Sequence, residues 1–210
     1  PYGEVLMFTG LDYHHPDELG AVIDVTVNGR THTIDSPTFV TLPAGLPHGP
    51  LITRKVDRPY GFLAVSLDGV HKMQETPESG TAQPDDNLIR PFEMRDLRRP
   101  NSGNVDFMNA WSGNGVEGFK LNFTWAFHSG VGPFHTHDPH VHPNDECLVF
   151  VGTDPDHPDY LGAEIEIGMG TEVEPYVFDV PTVVIAPAGL VHCPLIVRKV
   201  ERPYCFTAIC

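Results

Sequence analysis

Positive charge is scarce in this chain. Thirteen Lys+Arg (13) stand against 28 Asp+Glu, a formal net charge of −15 over 210 residues. Such a surface repels a phosphate backbone or an anionic membrane, so neither nucleic acid nor membrane is expected as a partner. Long apolar runs are missing too. None approaches the ~20 residues of a membrane span, and the opening PYGEVLMFTG does not read as a secretory leader. A cytoplasmic protein is expected. The four cysteines, Cys147, Cys193, Cys205 and Cys210, show no paired spacing, which fits buried thiols in a reducing compartment. No segment carries a long helical period. By contrast Gly (20) and Pro (21) are abundant, as they are where many short strands are joined by tight turns.

An internal repeat sets the organisation. Residues 1–21, PYGEVLMFTGLDYHHPDELGA, match 143–163, PNDECLVFVGTDPDHPDYLGA, at 12 of 21 positions. Residues 42–62, LPAGLPHGPLITRKVDRPYGF, match 186–206, APAGLVHCPLIVRKVERPYCF, at 15 of 21. The pattern within each half is all-β. Ala21–Val27 and Thr38–Leu42 read as strands, with Asn28-Gly29 as a hairpin turn; Ala163–Ile167 and Pro181–Ala186 take those parts in the second half. Lys120–His128 is a further period-two strand, and Phe92–Arg99 reads as one helical turn or a strand. These features predict a first half over 1–70, a Pro/Gly/Ser-rich linker over 71–91 and a second domain over 92–210. Nothing in the first half corresponds to 92–142. The first half is therefore expected without its N-terminal strands in this chain, those strands being either upstream or lost.

Chemistry concentrates in 133–152, PFHTHDPHVHPNDECLVFVG. Alternate residues of a strand share a face, so His140 and His142 point the same way. Glu146 has the same parity if the strand resumes after Pro-Asn-Asp. Two imidazoles and a carboxylate on one face suit a divalent ion. PAGLVHC then supplies His192, just after a Pro-x-Gly turn, as a fourth ligand. The first-half counterparts of Glu146 and His192 are Glu4 and His48, and no HxH pair accompanies them, so that site is expected to be empty. A second HxH, His135 and His137, precedes the chosen pair.

The remaining features read mostly as structure. The RKVxRPYxF segment around Arg54-Lys55 and Arg198-Lys199 occurs in both halves, which points to packing or an interface and to a homodimer. His15 and His157, each in an HPD turn, read as loop structure. Cys193, glycine in the first half, is expected by strand alternation to face away from the metal as a buried thiol. His128, His135 and His137 read as exposed loop histidines, with a proton carrier among them as the alternative.

With those residues in view, HVHPNDE together with Gly152 resembles the first motif of the cupin superfamily, and PAGLVH resembles its second, PxGxxH. The likeness covers about 130–206, and the repeat extends it to 1–62, so the chain resembles a bicupin. The interval from Glu146 to Gly152 is one residue shorter than the usual pattern. The resemblance implies two tandem double-stranded β-helix (jelly-roll) barrels, the first incomplete. It also implies one divalent transition metal on His140, His142, Glu146 and His192, a pair chosen because it keeps the family's gap to the glutamate. Iron is expected, with manganese, nickel or zinc as alternatives. With two open positions on the ion, and Leu148, Phe150 and Phe134 as an apolar wall, a metal-dependent oxygenase or related oxidoreductase on a small organic acid or aromatic is expected. A redox-neutral isomerase or decarboxylase, or a non-catalytic small-molecule binder, is the alternative.

Overall fold

The computed structural model describes residues 2–67, 88–99, 103–112, 121–134 and 138–210. Among them there is no helix, and every strand pairing is antiparallel. The chain divides into two units, Pro1–Glu93 and Met94–Cys210.

The first unit is built from β1 (Glu4–Gly10), β2 (Ala21–Val27), β3 (Arg30–Ile34), β4 (Thr38–Leu42), β5 (His48–Val56), β6 (Tyr60–Ser66) and β7 (Ile89–Pro91). They form two sheets, ordered β6-β1-β4-β7 and β3-β2-β5. The Asn28-Gly29 turn joins β2 to β3 with both residues at positive φ, 50° and 77°, the conformation a two-residue hairpin of right-handed twist requires. Leu6, Phe8, Ile23, Val25 and Val40 meet in the core.

The second unit holds β8 (Arg95–Asp96), β9 (Val105–Ser112), β10 (Asn122–His128), β11 (Gly132–Pro133), β12 (Glu146–Gly152), β13 (Ala163–Met169), β14 (Glu174–Phe178), β15 (Thr182–Ala186), β16 (His192–Val200) and β17 (Tyr204–Ile209). Its sheets run β15-β12-β17-β10-β9-β8 and β11-β16-β13-β14. Ala163, Ile165 and Ile167 alternate inward along β13 and meet Phe150, Leu195 and Phe206.

The repeat is visible in the pairing: β1 pairs with β4 and β6 as β12 pairs with β15 and β17. Gly10 and Gly152, which end β1 and β12, explain themselves. A Cβ on Gly152 would stand 2.0 Å from the Tyr160 carbonyl oxygen, and one on Gly10 2.0 Å from that of Glu18. The returning loop crosses too close for any side chain.

The halves differ at their open side. In the second unit β10 lies beside β17 and β11 beside β16. Among the described residues, β6 pairs only with β1 and β5 only with β2. Among the described residues of the first unit, no strand stands in the place of β9–β11.

The stretch read as a linker, 71–91, needs correction at its end. Residues 71–87 lie outside the described residues. Leu88 is buried in the first unit's core, and Ile89–Pro91 pairs with Thr38–Val40. Phe92, assigned by sequence to the second domain, stacks on Phe39 with ring centroids 4.4 Å apart. Apolar residues at the end of a polar stretch are drawn to an open sheet edge. Arg95–Asp96 forms a short strand against β9 and not a helical turn.

The repeated charges mostly pair on their own barrels. Arg54 reaches Asp24 at 2.6 Å, and the matching Arg198 meets Glu166. Lys55 binds Asp57 and Lys199 binds Glu201. The HPD loops are held likewise, with Arg58 on Asp12 and Glu18 and Arg202 on Asp154.

Candidate metal centre

The PAGL sequence makes a turn. Leu190 N–H donates to the Pro187 carbonyl at 2.9 Å, with Gly189 in the third position at φ 80°. That φ belongs to the type II turn, which glycine adopts without steric cost. Two residues on, His192 opens β16, and its Nδ1–H donates to the Leu190 carbonyl at 3.0 Å. The turn therefore sets the ring's tautomer as well as its position.

The HxHxxxE segment is tied to this turn by backbone. His140 and His192 exchange both N–H···O bonds, at 3.1 and 3.0 Å. Gly189 N–H donates to the His142 carbonyl at 2.9 Å, and Ala188 N–H to the Asp145 carboxylate at 2.8 Å. The two motifs, some fifty residues apart in the chain, are thus laced into one loop pair.

The four side chains singled out by sequence are brought together. His140, His142 and His192 offer ring nitrogens that all lie within 4.8 Å of one another, an arrangement able to hold a metal ion. His140 Nε2 and His142 Nε2 are 3.1 Å apart. The Glu146 Oε2 atom stands 3.0 Å from His192 Nε2 and 3.7 Å from His142 Nε2. His192 is 2% exposed and Glu146 12%, while His142 is 41% exposed at its side chain. The site is closed at its base and open at its rim. His135 and His137 lie outside the described residues.

The donor chemistry fits a cation. His140 Nδ1–H donates to the Asp138 carbonyl at 2.9 Å, as His192 Nδ1–H does to Leu190. A neutral imidazole so bonded presents a bare lone pair at Nε2. At His192 that lone pair faces a carboxylate oxygen at 3.0 Å, two acceptors in contact. Only a proton or a metal between them makes the arrangement favourable.

Inward from these residues lies a cavity of about 340 Å³, lined also by Val105, Met108, Phe134, Leu148, Leu195 and Phe206. Leu148 and Phe134 form its wall as expected; Phe150 stands behind it, against Phe206 at 5.0 Å. Val105 and Met108 come from β9 and were not legible as lining, because sequence does not show which strand closes a barrel. A larger surface cleft of about 710 Å³ lies among Asp154, Tyr160, Lys199, Glu201 and Arg202, whose side chains pair with one another. The smaller cavity carries the convergent donors.

Two expectations are overturned. Cys193 lines the same cavity as His192 and does not face away. The alternation rule holds only for extended residues, and Cys193 has φ 75°. Its thiol is pushed up to about 11, by burial first and then by the charge of Glu146, so it stays protonated at neutral pH. His128 is not an exposed loop residue but is 0% exposed in β10. Its ring stacks on Phe134 at 4.1 Å and on Tyr204 at 5.3 Å, and its Nδ1–H donates to Asn104, 3.0 Å from the side-chain oxygen. It also lines the cavity. An aromatic-rich strand ending in His was the available signal.

The fold is that of tandem double-stranded β-helix barrels, and solved structures share it. Oxalate decarboxylase from Bacillus subtilis superposes with a TM-score of 0.59 at 14% identity, over 99% of this chain and 62% of that one. Vicilin from hazelnut, Corylus avellana, does so with a TM-score of 0.55 at 9% identity, over 99% and 68%. The chain thus spans less than two thirds of the length of the oxalate decarboxylase it matches. At these identities the likeness is one of fold. No protein-family model matches the sequence, and no curated protein is similar enough in sequence to match it.

Proposed function

We propose that the second unit binds one divalent transition metal through His140, His142, His192 and Glu146, and that the chain is a metal-dependent cupin enzyme acting on a small organic molecule. The observation that carries this reading is the meeting of bare imidazole lone pairs and a carboxylate at the mouth of a 340 Å³ cavity. The ion would act as a Lewis acid, polarising a bound oxygen and lowering the pKa of bound water. The chain's own residues then do the rest. His192 and Glu146, the most enclosed of the four, would be ligands to the ion, Phe134, Leu148 and Phe206 exclude water, and His128 keeps a fixed tautomer through Asn104.

Redox-neutral chemistry, decarboxylation or isomerisation, is the first reading. It draws support from the fold shared with oxalate decarboxylase, a protein that carries Mn(II) centres. Oxygenation is the second, favoured by the apolar wall, which keeps a reactive site dry. Manganese and iron are the ions proposed. The test is elemental analysis of the purified chain beside a His140→Ala/His192→Ala double variant, followed by a substrate screen run with and without oxygen. Equal metal in the two proteins overturns the site. Turnover that persists without oxygen supports the first reading, and turnover that stops supports the second.

A further inference from the structure

The walls of the cavity also say what kind of molecule it takes. We infer, building on the metal site proposed above, that its ligand presents a single chelating head to the histidines and an apolar body to the barrel, with no second charged group. The cavity's 340 Å³ equals about eleven waters at about 30 Å³ each, room for on the order of ten non-hydrogen atoms. His140, His142, His192 and Glu146 gather at one end; Phe134, Leu148, Leu195 and Phe206 make the sides, with His128 stacked on Phe134 among them. Among the described lining residues there is no Lys or Arg, and the one charged group is the carboxylate of Glu146. The Thr124 hydroxyl accepts from Ala208 N–H at 3.0 Å and brings a neutral donor to the lining, not a charge.

Consider the alternative, a compact dianion such as oxalate. Its metal-bound carboxylate would be neutralised by the ion. Its other carboxylate would sit mainly against phenyl and leucine side chains, near a like charge, with no Lys or Arg among the described lining residues and only the neutral Thr124 hydroxyl, the Cys193 thiol and His128 as polar neighbours. Burial of an unpaired carboxylate is strongly unfavourable. A flat or branched apolar body meets the same walls with contact and displaced water instead. The fold shared with oxalate decarboxylase therefore does not carry its substrate across to this cavity.

The test uses the full chain loaded with Co(II), whose visible absorption reports both the metal and its ligands. Three probes are titrated: benzohydroxamate, with a chelating head and a phenyl body; acetohydroxamate, with the same head and none; and oxalate. Each affinity is divided by the probe's affinity for free Co(II). Benzohydroxamate is expected to exceed each of the others at least tenfold on that scale, and Phe206→Ala to reduce its lead. Should that variant not fold, Met108→Lys, at a half-buried position of β9, is expected to raise oxalate binding about tenfold by supplying the missing cation. Equal normalised affinities for the two hydroxamates, or a preference for oxalate, overturn the inference while leaving the metal site standing. Failure to take up Co(II) at all overturns the metal site itself.

Discussion

His48 and His192 stand at the same step of the same turn, each beside a glutamate that opens a matching strand. His48 Nε2 lies 3.2 Å from Glu4 Oε2, and His192 Nε2 lies 3.0 Å from Glu146 Oε2. Each ring is held from behind, His48 Nδ1 on the Leu46 carbonyl at 3.0 Å as His192 is on Leu190. Yet the His48 side chain is 39% exposed and that of His192 only 2%. In the second unit the pair is enclosed, and two further imidazoles stand ready to complete a metal's shell. The lesson is that the turn and its Glu–His pair are repeated, whereas their enclosure comes from the unrepeated segment 92–142. The same difference shows in the sheets: Leu51 and Phe62 are 41% and 49% exposed, while their counterparts Leu195 and Phe206 are each 6% exposed.

The comparison is broken most sharply at the two histidines. His192→Ala is expected to lower metal affinity at least a hundredfold, since a lost ligand costs several kcal/mol of a total of about 10–16. His48→Ala is expected to leave metal content per chain unchanged. Elemental analysis of both variants decides it, and metal lost on removing His48 would mean that the first unit binds the ion as well.

Next comes the aromatic pair. Phe206→Ala should destabilise its unit by about 3–5 kcal/mol, as a buried phenyl lost from a packed core does. Phe62→Ala, half in solvent against Phe8 at 5.1 Å, should cost about 1 kcal/mol. Both described tryptophans, Trp111 and Trp125, lie in the second unit, so tryptophan fluorescence during urea unfolding isolates that unit. Hydrogen exchange in β1 reports the first.

At the glycines the two units should agree. Gly10→Ala and Gly152→Ala each push a methyl into a carbonyl 2.0 Å away, and each should cost about 1–3 kcal/mol. A marked inequality in hydrogen-exchange protection would show that one of the loops can move aside.

The smallest effect lies at the repeated ion pair. A hydrogen bond from the Thr33 hydroxyl, then the Arg54 guanidinium, holds the Asp24 carboxyl below the usual carboxylate range. A depressed folded value means that the stabilisation is present above the ordinary carboxylate pKa and is lost as pH falls through the folded one. Thr33→Val and Arg54→Ala should each raise the Asp24 titration midpoint measured by NMR, and each should narrow the acid window in which stability falls. Midpoints that do not move would remove these two contacts as the cause.

How much of this was legible beforehand follows from the reach of each interaction. The Asn28-Gly29 hairpin, the PAGL turns and the alternating strands are local, and residues a few positions apart specify them. The repeat extended those local readings from one half to the other, and the HxHxxxE and PxGxxH spacings pointed to four side chains that do meet. Cys193 and His128 were misplaced because one positive φ interrupts alternation, and because burial depends on which strands lie alongside. The fate of Leu88–Pro91 likewise depended on a free edge at β4, invisible from within a polar stretch.

By itself, then, the sequence determined an all-β chain, its duplication, its turns and the donor types that gather around His192, since each rests on short-range periodicity and backbone conformation. Only the tertiary structure decided which of two near-identical Glu–His pairs is enclosed, and that the cavity beside it is walled by Phe134, Leu148 and Phe206 with no described cation among its lining residues. Enclosure is a property of neighbours. A residue's own strand sets the direction of its side chain, but β9, β10 and β11, brought alongside by long-range pairing, set whether that direction leads to water or to a core.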